Sequence, residues 1–389
     1  MSVTAANGFT ASGVHCGVKA SGDLDLSLVA TEDGHAVPAA AVFTANRMTA
    51  APVLTTRAHL DETNGRAAGV VLNSGNANAA TGSAGLADAE AMSAATAASL
   101  GCAANEVLVC STGLIGIPLP IDTIVGGIPA LVEGRTADAA GATAAAEAIR
   151  TTDTVRKEAV AHAGSAVVGG MAKGAAMLAP NMATMLAVLT TDAEVEPMAL
   201  QHLLRDAVDG SFNRLSVDGC TSTNDTVIVL ASGRAGAVSE DALGGAIDEV
   251  CFALASQMAG DAEGATKVVR VEVLGAESDL EAEQCARKIA DSLLVKCSWY
   301  GQDAYWGRIA SEAGSAGVAF EVDRLAVRYG GITVAEAGVT TTYDEVALAS
   351  YMANRNLDIE VDLGIGHGRG WVLSNDLTHA YVDENMGTS

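Results

Sequence analysis

The sequence has 389 residues, of which 49% are hydrophobic, so the chain is long enough to bury a large core in one domain or two. Its 22 basic residues are outnumbered by 47 acidic ones, and the net charge of −25 at pH 7 repels phosphate backbones and anionic membranes. Nucleic acid and membrane surfaces are therefore poor partners for this protein.

The cysteines indicate a reducing compartment. There are seven of them, they are scattered along the chain, and no two form a Cys-x-x-Cys pair. We therefore expect a cytoplasmic protein without a disulfide framework. Residues 1–13 are polar and lack the hydrophobic stretch of a secretory signal. The uncharged run 174–191 approaches membrane-spanning length, but Pro180 and Asn181 interrupt it, which favours a buried loop and strand.

In the first part of the chain, residues 39–44 and 70–72 are short apolar runs that predict buried strands. Residues 73–78 are turn formers after the second strand, and they either line a site or form a simple loop. Apolar residues at helical spacing predict a helix over 83–100, and alanine-rich residues predict another over 139–149.

Two polar segments follow predicted elements. Residues 106–110 read as a strand that stops at Ser111, Thr112 and Gly113. A threonine and a glycine at a strand end can offer a hydroxyl and a backbone N–H to a developing oxyanion, although an isolated pair of this kind is far more often a plain turn. Residues 150–154, after the second helix, suit a helix cap or a ligand loop.

The middle of the chain, residues 169–192, contains one charge, Lys173, in a long uncharged run. Thr184 lies three residues after Asn181 and precedes residues 185–189, which read as a strand. By itself Thr184 is either a nucleophile or an ordinary buried hydroxyl. The hydroxyl and amide side chains of residues 221–226 predict a hydrogen-bonded network, structural or catalytic, next to a strand over 227–230.

The second half continues the alternation of helices and strands, which predicts an α+β fold with helices outside layered sheets. Helices are expected over 197–208, 239–257 and 281–294, and strands over 268–274, 325–329, 332–334, 358–363 and 371–372. Gly364, Gly366, Gly368 and Gly370 resemble a nucleotide loop, but no helix signal follows them. We therefore predict a hairpin turn there.

The sequence lacks the motifs of most common catalytic sites. The histidines show no metal-ligand spacing, and the sequence lacks a Gly-x-Ser-x-Gly elbow and a phosphate-binding lysine loop, so we expect no metal. A threonine hydroxyl needs a base within hydrogen-bond reach. If the peptide bond between Ala183 and Thr184 is cut, the new α-amino group of Thr184, with a pKa near ~8, can accept the hydroxyl proton.

The segment from Met171 to Leu186 closely resembles the self-cleavage motif of the ornithine acetyltransferase family, the bifunctional glutamate N-acetyltransferases of arginine biosynthesis. The resemblance covers nearly the whole chain. Further blocks in the same order are residues 40–44, 72–79, 110–116, 151–154, 222–226, 261–267, 306–308 and 376–382.

This resemblance implies a layered αββα-type arrangement that looks like the N-terminal-nucleophile hydrolases. It implies self-cleavage into an α fragment, residues 1–183, and a β fragment, residues 184–389, which stay together and pair into an α2β2 assembly. It also implies transfer of an acetyl group from N2-acetyl-L-ornithine to L-glutamate through an acetyl-threonine intermediate. No cofactor is implied, but acetyl-CoA is an alternative acetyl donor in some members.

The resemblance also implies roles for individual residues. Thr184 is the nucleophile, the cut falls between Ala183 and Thr184, and Thr112 and Gly113 form the oxyanion hole. The substrate-binding positions are Thr151, Lys173, Thr184, Glu263, Asn385 and Ser389. Because both substrates are amino acids, we expect Lys173 to hold a carboxylate and Glu263 to meet the ornithine ammonium.

The chain departs from the family pattern in two places. Its C-terminus is about one residue short and lacks the usual tyrosine, so Thr388 is an alternative to Ser389. Ala304 and Tyr305 stand where Pro-Asn is usual. Two other functions stay open: an amidohydrolase or aminopeptidase that uses the same N-terminal threonine with water as acceptor, and a non-enzymatic binding or scaffold protein.

Overall fold

The computed structural model describes residues 2–178 and 185–387. The chain divides into two compact units. Unit 1 consists of residues 1–213 and 220–258, and unit 2 of residues 214–219 and 259–389. The predicted fragment boundary between Ala183 and Thr184 lies outside the described residues and stays a prediction.

Unit 1 combines two extended sheets with helices. Its strands are β1 Phe9–Val14, β2 Leu26–Thr31, β3 Val37–Phe43, β4 Arg66–Ala67, β5 Gly69–Asn76, β6 Val107–Leu114, β7 Lys157–Ala163, β8 Ala166–Lys173, β9 Leu186–Glu194 and β10 Thr226–Ala237. Its helices are α1 Ala51–Glu62, α2 Gly82–Leu100, α3 Ile121–Glu133, α4 Ala139–Ala148, α5 Pro197–Gly210 and α6 Glu240–Gly260. One sheet has the order β1-β2-β5-β6 and the other β4-β3-β10-β9-β8-β7.

The two sheets of unit 1 share one apolar core. Val70 from the first sheet and Val188 from the second belong to the same buried cluster. Side chains alternate between the faces of a strand, so Val71 points the other way, into a cluster with Ile124 of α3 and with α2. On the second sheet, a Cβ added at Gly170 would lie 2.8 Å from a methyl group of Val250 in α6. The layers of unit 1 are therefore helix, sheet, sheet and helix, which confirms the predicted α+β class and αββα arrangement.

Helix α1 covers the outer edge of β6. The Thr56 hydroxyl donates to the Val109 carbonyl at 2.7 Å and accepts the Val109 N–H at 2.8 Å. A ring nitrogen of His59 lies 2.9 Å from the Val107 carbonyl. These side chains satisfy polar groups that an edge strand would otherwise expose, and they fix β6 where it leads to Thr112.

Strands from both sides of the predicted cut lie next to each other in the second sheet. Lys173 at the end of β8 pairs with Leu186 at the start of β9 in an antiparallel ladder. Leu186 pairs in parallel with Thr226 of β10, and β10 pairs antiparallel with β3. The two central strands, β10 and β9, therefore come from chain after residue 185, and the strands on both sides of them come from chain before residue 178.

Unit 2 has a sheet of order β14-β13-β12-β15-β11-β16. Its strands are β11 Val268–Ala276, β12 Ala326–Tyr329, β13 Ile332–Glu336, β14 Val339–Thr340, β15 Asn356–Asp362 and β16 Gly368–Asn375. Its helices are α7 Asp279–Ala290, α8 Leu293–Tyr300, α9 Trp306–Gly314, α10 Glu345–Met352 and α11 His379–Glu384. Trp299 and Tyr329 are the largest side chains buried in its core.

Two expectations for this unit were wrong. The glycine-rich residues 364–370 do not form a hairpin turn, because β15 and β16 flank β11 on opposite sides and do not pair with each other. The segment instead crosses the end of β11, where a Cβ on Gly366 would lie 2.2 Å from the Ala276 carbonyl oxygen. The expected helix over 281–294 is two helices, because the Ser292 hydroxyl accepts the Val295 N–H and starts α8 anew.

No helix within residues 2–178 and 185–387 combines the length and the apolar character needed to cross a membrane.

Candidate active site

Thr112 and Gly113 lie inside β6, not after it. The strand continues to Leu114, and Gly113 pairs with Gly75 of β5, so the expected turn at this position was wrong. Gly113 has φ +131°, and a Cβ there would lie 2.3 Å from the Gly75 carbonyl carbon. The close approach of the two backbones therefore requires glycine at position 113.

Lys173 ends β8 and brings a buried cation to Thr112. Its ammonium donates to the Thr112 hydroxyl at 3.2 Å, and both residues are only 3% exposed. The same ammonium lies 4.0 Å from Oδ2 of Asp153. A positive charge is thus fixed beside the hydroxyl that the sequence suggested for an oxyanion hole, where it favours negative charge on a substrate.

Asp153 organises the loop after α4. One of its carboxylate oxygens accepts from the Lys157 ammonium and from the Gly174 N–H, both at 2.6 Å, and the other accepts the Thr151 N–H at 3.1 Å. Burial by itself would raise the pKa of Asp153, but Lys173, Lys157 and these hydrogen bonds outweigh it and lower the pKa to about 2. The loop therefore carries a stable buried carboxylate that links Thr151 to the lysine strand.

Two further cations lie near this cluster. The Arg150 guanidinium donates to the carbonyls of Asp153 and Thr154 and so holds the loop from outside. Burial lowers the pKa of Lys19, Asp23 and Asp25 oppose this, and the positive charges of Arg150 and Lys173 lower it further. The Arg150 guanidinium also pairs with Glu147, so both positive and negative groups surround the Lys173 ammonium.

Asn224 and Asp225, just before β10, contact the backbone of β6 and of residues next to β5 and β9. The Asn224 amide donates to the carbonyls of Ala77 at 2.6 Å and Ser111 at 2.9 Å. Oδ1 of Asp225 accepts the Met185 N–H at 2.9 Å, while Oδ2 is buried without a hydrogen-bond partner among the described residues. Burial raises the pKa of the Asp225 carboxyl well above its ordinary value, against the opposing effects of the Met185 N–H, the Ser222 hydroxyl and Lys173. Its neutral form is thus favoured.

In unit 2, Glu263 and Asn385 are in contact. The Asn385 amide donates to Oε2 of Glu263 at 2.7 Å and to the Tyr381 carbonyl at 2.9 Å. Glu263 is 8% exposed. The Thr378 hydroxyl, the N-cap of α11, donates to the Gly264 carbonyl at 2.7 Å, so the loop that carries Glu263 is tied to the helix that precedes Asn385.

Ala183, Thr184, Thr388 and Ser389 lie outside the described residues, and their predicted roles stay predictions. Within residues 2–178 and 185–387, no group of three or more histidine, cysteine, aspartate or glutamate residues is arranged to hold a metal ion. In the same part of the chain, which includes all seven cysteines, no two cysteines form a disulfide.

The sequence matches the ArgJ family over residues 10–387, which is almost its whole length. The chain belongs to the ArgJ family. The family of arginine-biosynthesis acetyltransferases suggested by the sequence motifs is thereby confirmed, and this ArgJ-family protein is an enzyme.

Relatives of the ArgJ-family protein align along its full length. It is 47% identical to the arginine biosynthesis bifunctional protein ArgJ of Streptomyces coelicolor, with all of both chains covered. It is also 47% identical to the protein of that name from Mycolicibacterium paratuberculosis, with all of this chain and 96% of the relative covered. A solved structure of ornithine acetyltransferase complexed with ornithine, from Mycobacterium tuberculosis, is 47% identical. It covers 46% of this chain and 94% of its own, with a TM-score of 0.42.

The structure of the ArgJ-family protein brings Thr112, Gly113, Thr151 and Lys173 together in unit 1, and Glu263 and Asn385 together in unit 2. Sequence reasoning did not single out Asp153 and Lys157, although Asp153 lies in a recognised block. It treated residues 221–226 as a hydrogen-bonded network, which is confirmed, without separating Asn224 and Asp225 from their neighbours. The available signal was Asp153, a charged residue among the threonines of residues 151–154.

Proposed function

We propose that this ArgJ-family protein transfers the acetyl group of N2-acetyl-L-ornithine to L-glutamate in a ping-pong reaction, giving L-ornithine and N-acetyl-L-glutamate. The observation that carries the proposal is the match along the whole chain, within which Thr184 stands in the motif from Met171 to Leu186. The structure of a relative that carries bound ornithine agrees with the proposed substrate class.

In this proposal, Thr184 is the nucleophile and becomes the first residue of the β fragment after a cut behind Ala183. Its hydroxyl attacks the acetyl carbonyl, and its α-amino group takes the hydroxyl proton. Thr112 and Gly113 stabilise the tetrahedral oxyanion, with the Lys173 ammonium 3.2 Å from the Thr112 hydroxyl. The ornithine amine takes up the proton from the α-amino group and leaves, and the acetyl group stays on the threonine oxygen. The glutamate amine then attacks this ester, loses a proton to the threonine oxygen and leaves as N-acetylglutamate.

Charge complementarity supports amino-acid substrates. The cations Lys173, Arg150 and Lys19 suit carboxylate groups, while the largely buried carboxylate of Glu263 suits an ammonium group. Thr151, Asn385 and the C-terminal Ser389 complete the proposed substrate-binding set. A cytoplasmic α2β2 assembly of the two fragments and the use of acetyl-CoA as a second acetyl donor also belong to the proposal.

The test is intact-mass spectrometry of the purified protein with and without N-acetylornithine. We expect two fragments, the larger beginning at Thr184, and addition of one acetyl group to that fragment. Thr184→Ala should abolish both the cut and the transfer, whereas Thr184→Ser, which keeps a hydroxyl, should retain part of both. An intact chain that transfers acetyl groups would exclude the mechanism.

The acceptor is tested by measuring N-acetylglutamate and free acetate in the same reaction. An acetyltransferase forms N-acetylglutamate in excess of acetate when glutamate is present. Release of acetate regardless of glutamate would indicate the alternative function, an amidohydrolase or aminopeptidase with water as acceptor. Absence of a cut and of any acetylated fragment would indicate a binding or scaffold protein.

A further inference from the structure

Two consecutive buried side chains in the loop before β10 contact residues next to the proposed catalytic groups. One contacts Ser111, beside the oxyanion-hole residues, and the other contacts Met185, beside the nucleophile. Asn224 is 5% exposed and Asp225 is fully buried. The Asn224 amide uses both hydrogens of its nitrogen, one on the Ala77 carbonyl and one on the Ser111 carbonyl. Ser111 is the residue immediately before Thr112 and Gly113.

Asp225 contacts the residue that follows the proposed nucleophile. Its Oδ1 accepts the Met185 N–H at 2.9 Å, and the Met185 nitrogen belongs to the peptide bond that joins Met185 to Thr184. This hydrogen bond fixes the direction of the Met185 N–H and so restrains the backbone where β9 begins. The Asp225 carbonyl in turn accepts the Thr44 N–H at 2.9 Å, which anchors the loop to the end of β3.

We propose that Asn224 and Asp225 form a positioning element that ties the strand of the oxyanion-hole residues Thr112 and Gly113 to the start of β9, which directly follows the nucleophile Thr184 in the sequence. Both are positioning residues, because they act through the backbone of Ser111 and Met185. An oxyanion hole stabilises the intermediate only when its donors lie about 2.7–3.1 Å from the oxyanion. This inference rests on the proposed function.

The test compares Asp225→Leu with Asp225→Asn. Leucine has a similar volume and no acceptor, whereas asparagine keeps an oxygen that accepts the Met185 N–H. Asparagine also places a polar amide group where Oδ2 lies, so the nearby Ser222 and Thr44 hydroxyls keep a polar neighbour. A misplacement of about 1 Å costs on the order of 100-fold in rate. We therefore expect Asp225→Leu to lose roughly that factor in kcat and in the rate of self-cleavage.

The KM values for N-acetylornithine and glutamate should stay close to those of the wild type in both variants, because neither side chain is placed against substrate. Asp225→Asn should restore kcat to within about 5-fold of the wild type, with an unchanged pH profile of kcat. Asn224→Ala should lower kcat in the same way, because the Ser111 carbonyl loses its donor.

Matched controls separate positioning from general loss of stability. Asp192, a buried aspartate near the other end of β9, accepts the N–H groups of Asn7 and Val167. Asn375 of unit 2 bridges the carbonyls of Ala259 and Lys267 just as Asn224 bridges its two carbonyls. Asp192→Leu and Asn375→Ala should lower the melting temperature but keep kcat per folded, cleaved molecule.

Three results would overturn the inference. The first is a wild-type kcat in Asp225→Leu. The second is an Asp225→Asn variant as impaired as Asp225→Leu, or one with a shifted pH profile, which would show that the carboxyl transfers a proton. The third is an effect on KM alone. A wild-type protein that stays uncut and transfers no acetyl group would instead overturn the proposed function, and this inference with it.

Discussion

The loop after α4 and the loop before β10 each bury one aspartate in unit 1, yet the two carboxyl groups have opposite tendencies. Asp153 contacts the Lys157 ammonium directly and lies 4.0 Å from that of Lys173, and its pKa falls to about 2. Asp225 accepts a backbone N–H from Met185, and burial raises its pKa well above the ordinary value. Burial is the largest single effect on both groups and acts in the same direction on both.

The difference shows that the charge of a buried side chain is decided by its direct partners. Two ammonium groups near Asp153 offset the cost of removing its carboxylate from water, so this carboxylate stays ionised. The Asp225 loop has neutral hydrogen-bonding groups around its carboxyl and only a weaker effect of Lys173. One loop therefore holds the lysines of the site by charge, and the other fixes backbone geometry through a carboxyl group whose pKa is raised.

The largest expected effect is that of Asp153→Asn, which removes the charge but keeps the shape. Lys157 is fully buried, and removing one partner of a buried ion pair costs roughly 3–5 kcal/mol of unfolding free energy. Urea denaturation at pH 7 measures the change. The control is Asp192→Asn, whose aspartate accepts neutral backbone and amide N–H groups and should lose less. Equal losses in the two variants would contradict the role given to the lysines.

Lys157→Met should have a smaller effect. Methionine fills a similar volume without a charge, and Asp153 keeps the Gly174 N–H, the Thr151 N–H and the attraction of Lys173. We expect a loss of about 1–3 kcal/mol in the same denaturation experiment. The KM for glutamate is a second readout, because Lys173 becomes the nearer cation to Asp153. A variant with wild-type stability and wild-type KM would mean that Lys157 does not support the site.

Lowering the pH should reduce the free energy of unfolding through protonation of Asp153. Its folded-state pKa lies below the ordinary value of 3.8, so its contribution to stability is present above about pH 4 and is lost as the pH falls toward 2. The loss amounts to on the order of 2 kcal/mol. Unfolding free energies of the wild type and of Asp153→Asn, measured across this range, should converge as the pH falls. Parallel curves would exclude an ionised Asp153.

Asp225→Asn should have the smallest effect on stability. Because the pKa of Asp225 is raised, the folded protein binds a proton that the unfolded chain has released, so its contribution declines as the pH rises above about 4. An amide removes this dependence. We expect the variant to lie within about 1 kcal/mol of the wild type at pH 7 or to be more stable, and to gain relative to the wild type with rising pH. A strongly destabilised variant would mean that Asp225 is charged.

The helices that were predicted have an apolar or alanine-rich spacing that is local, whereas α1 Ala51–Glu62 and α3 Ile121–Glu133 were not expected. The expected helix over 139–149 is α4, Ala139–Ala148, and the one over 197–208 is α5, Pro197–Gly210. Strands β1 and β7 were not expected, because Phe9–Val14 and Lys157–Ala163 lack a clear alternation and depend on their neighbours in the sheets. The pairing of β11 with both β15 and β16 also joins residues far apart in sequence. It could not be predicted from the glycine-rich residues 364–370 alone.

The candidate site was predictable where a short motif carries the chemistry, as at Thr112, Gly113 and Lys173. The contacts that organise it join residues far apart in sequence: Asp153 binds Gly174, and Asn224 reaches Ala77 and Ser111. A single sequence gives the residue types of these partners but not their pairing, since any buried polar group must find some partner.

The interleaved order of the second sheet of unit 1 has a consequence for the timing of self-cleavage. Strand β10 lies between β3 and β9, and β9 between β10 and β8, so chain from both sides of the cut is needed to complete the sheet. The Met185 N–H meets Asp225 only where β9 and β10 begin side by side. If the chain cuts itself as proposed, the cut follows completion of this sheet and marks the end of folding irreversibly. The two fragments would then be held together by two strand ladders, β3 with β10 and β8 with β9.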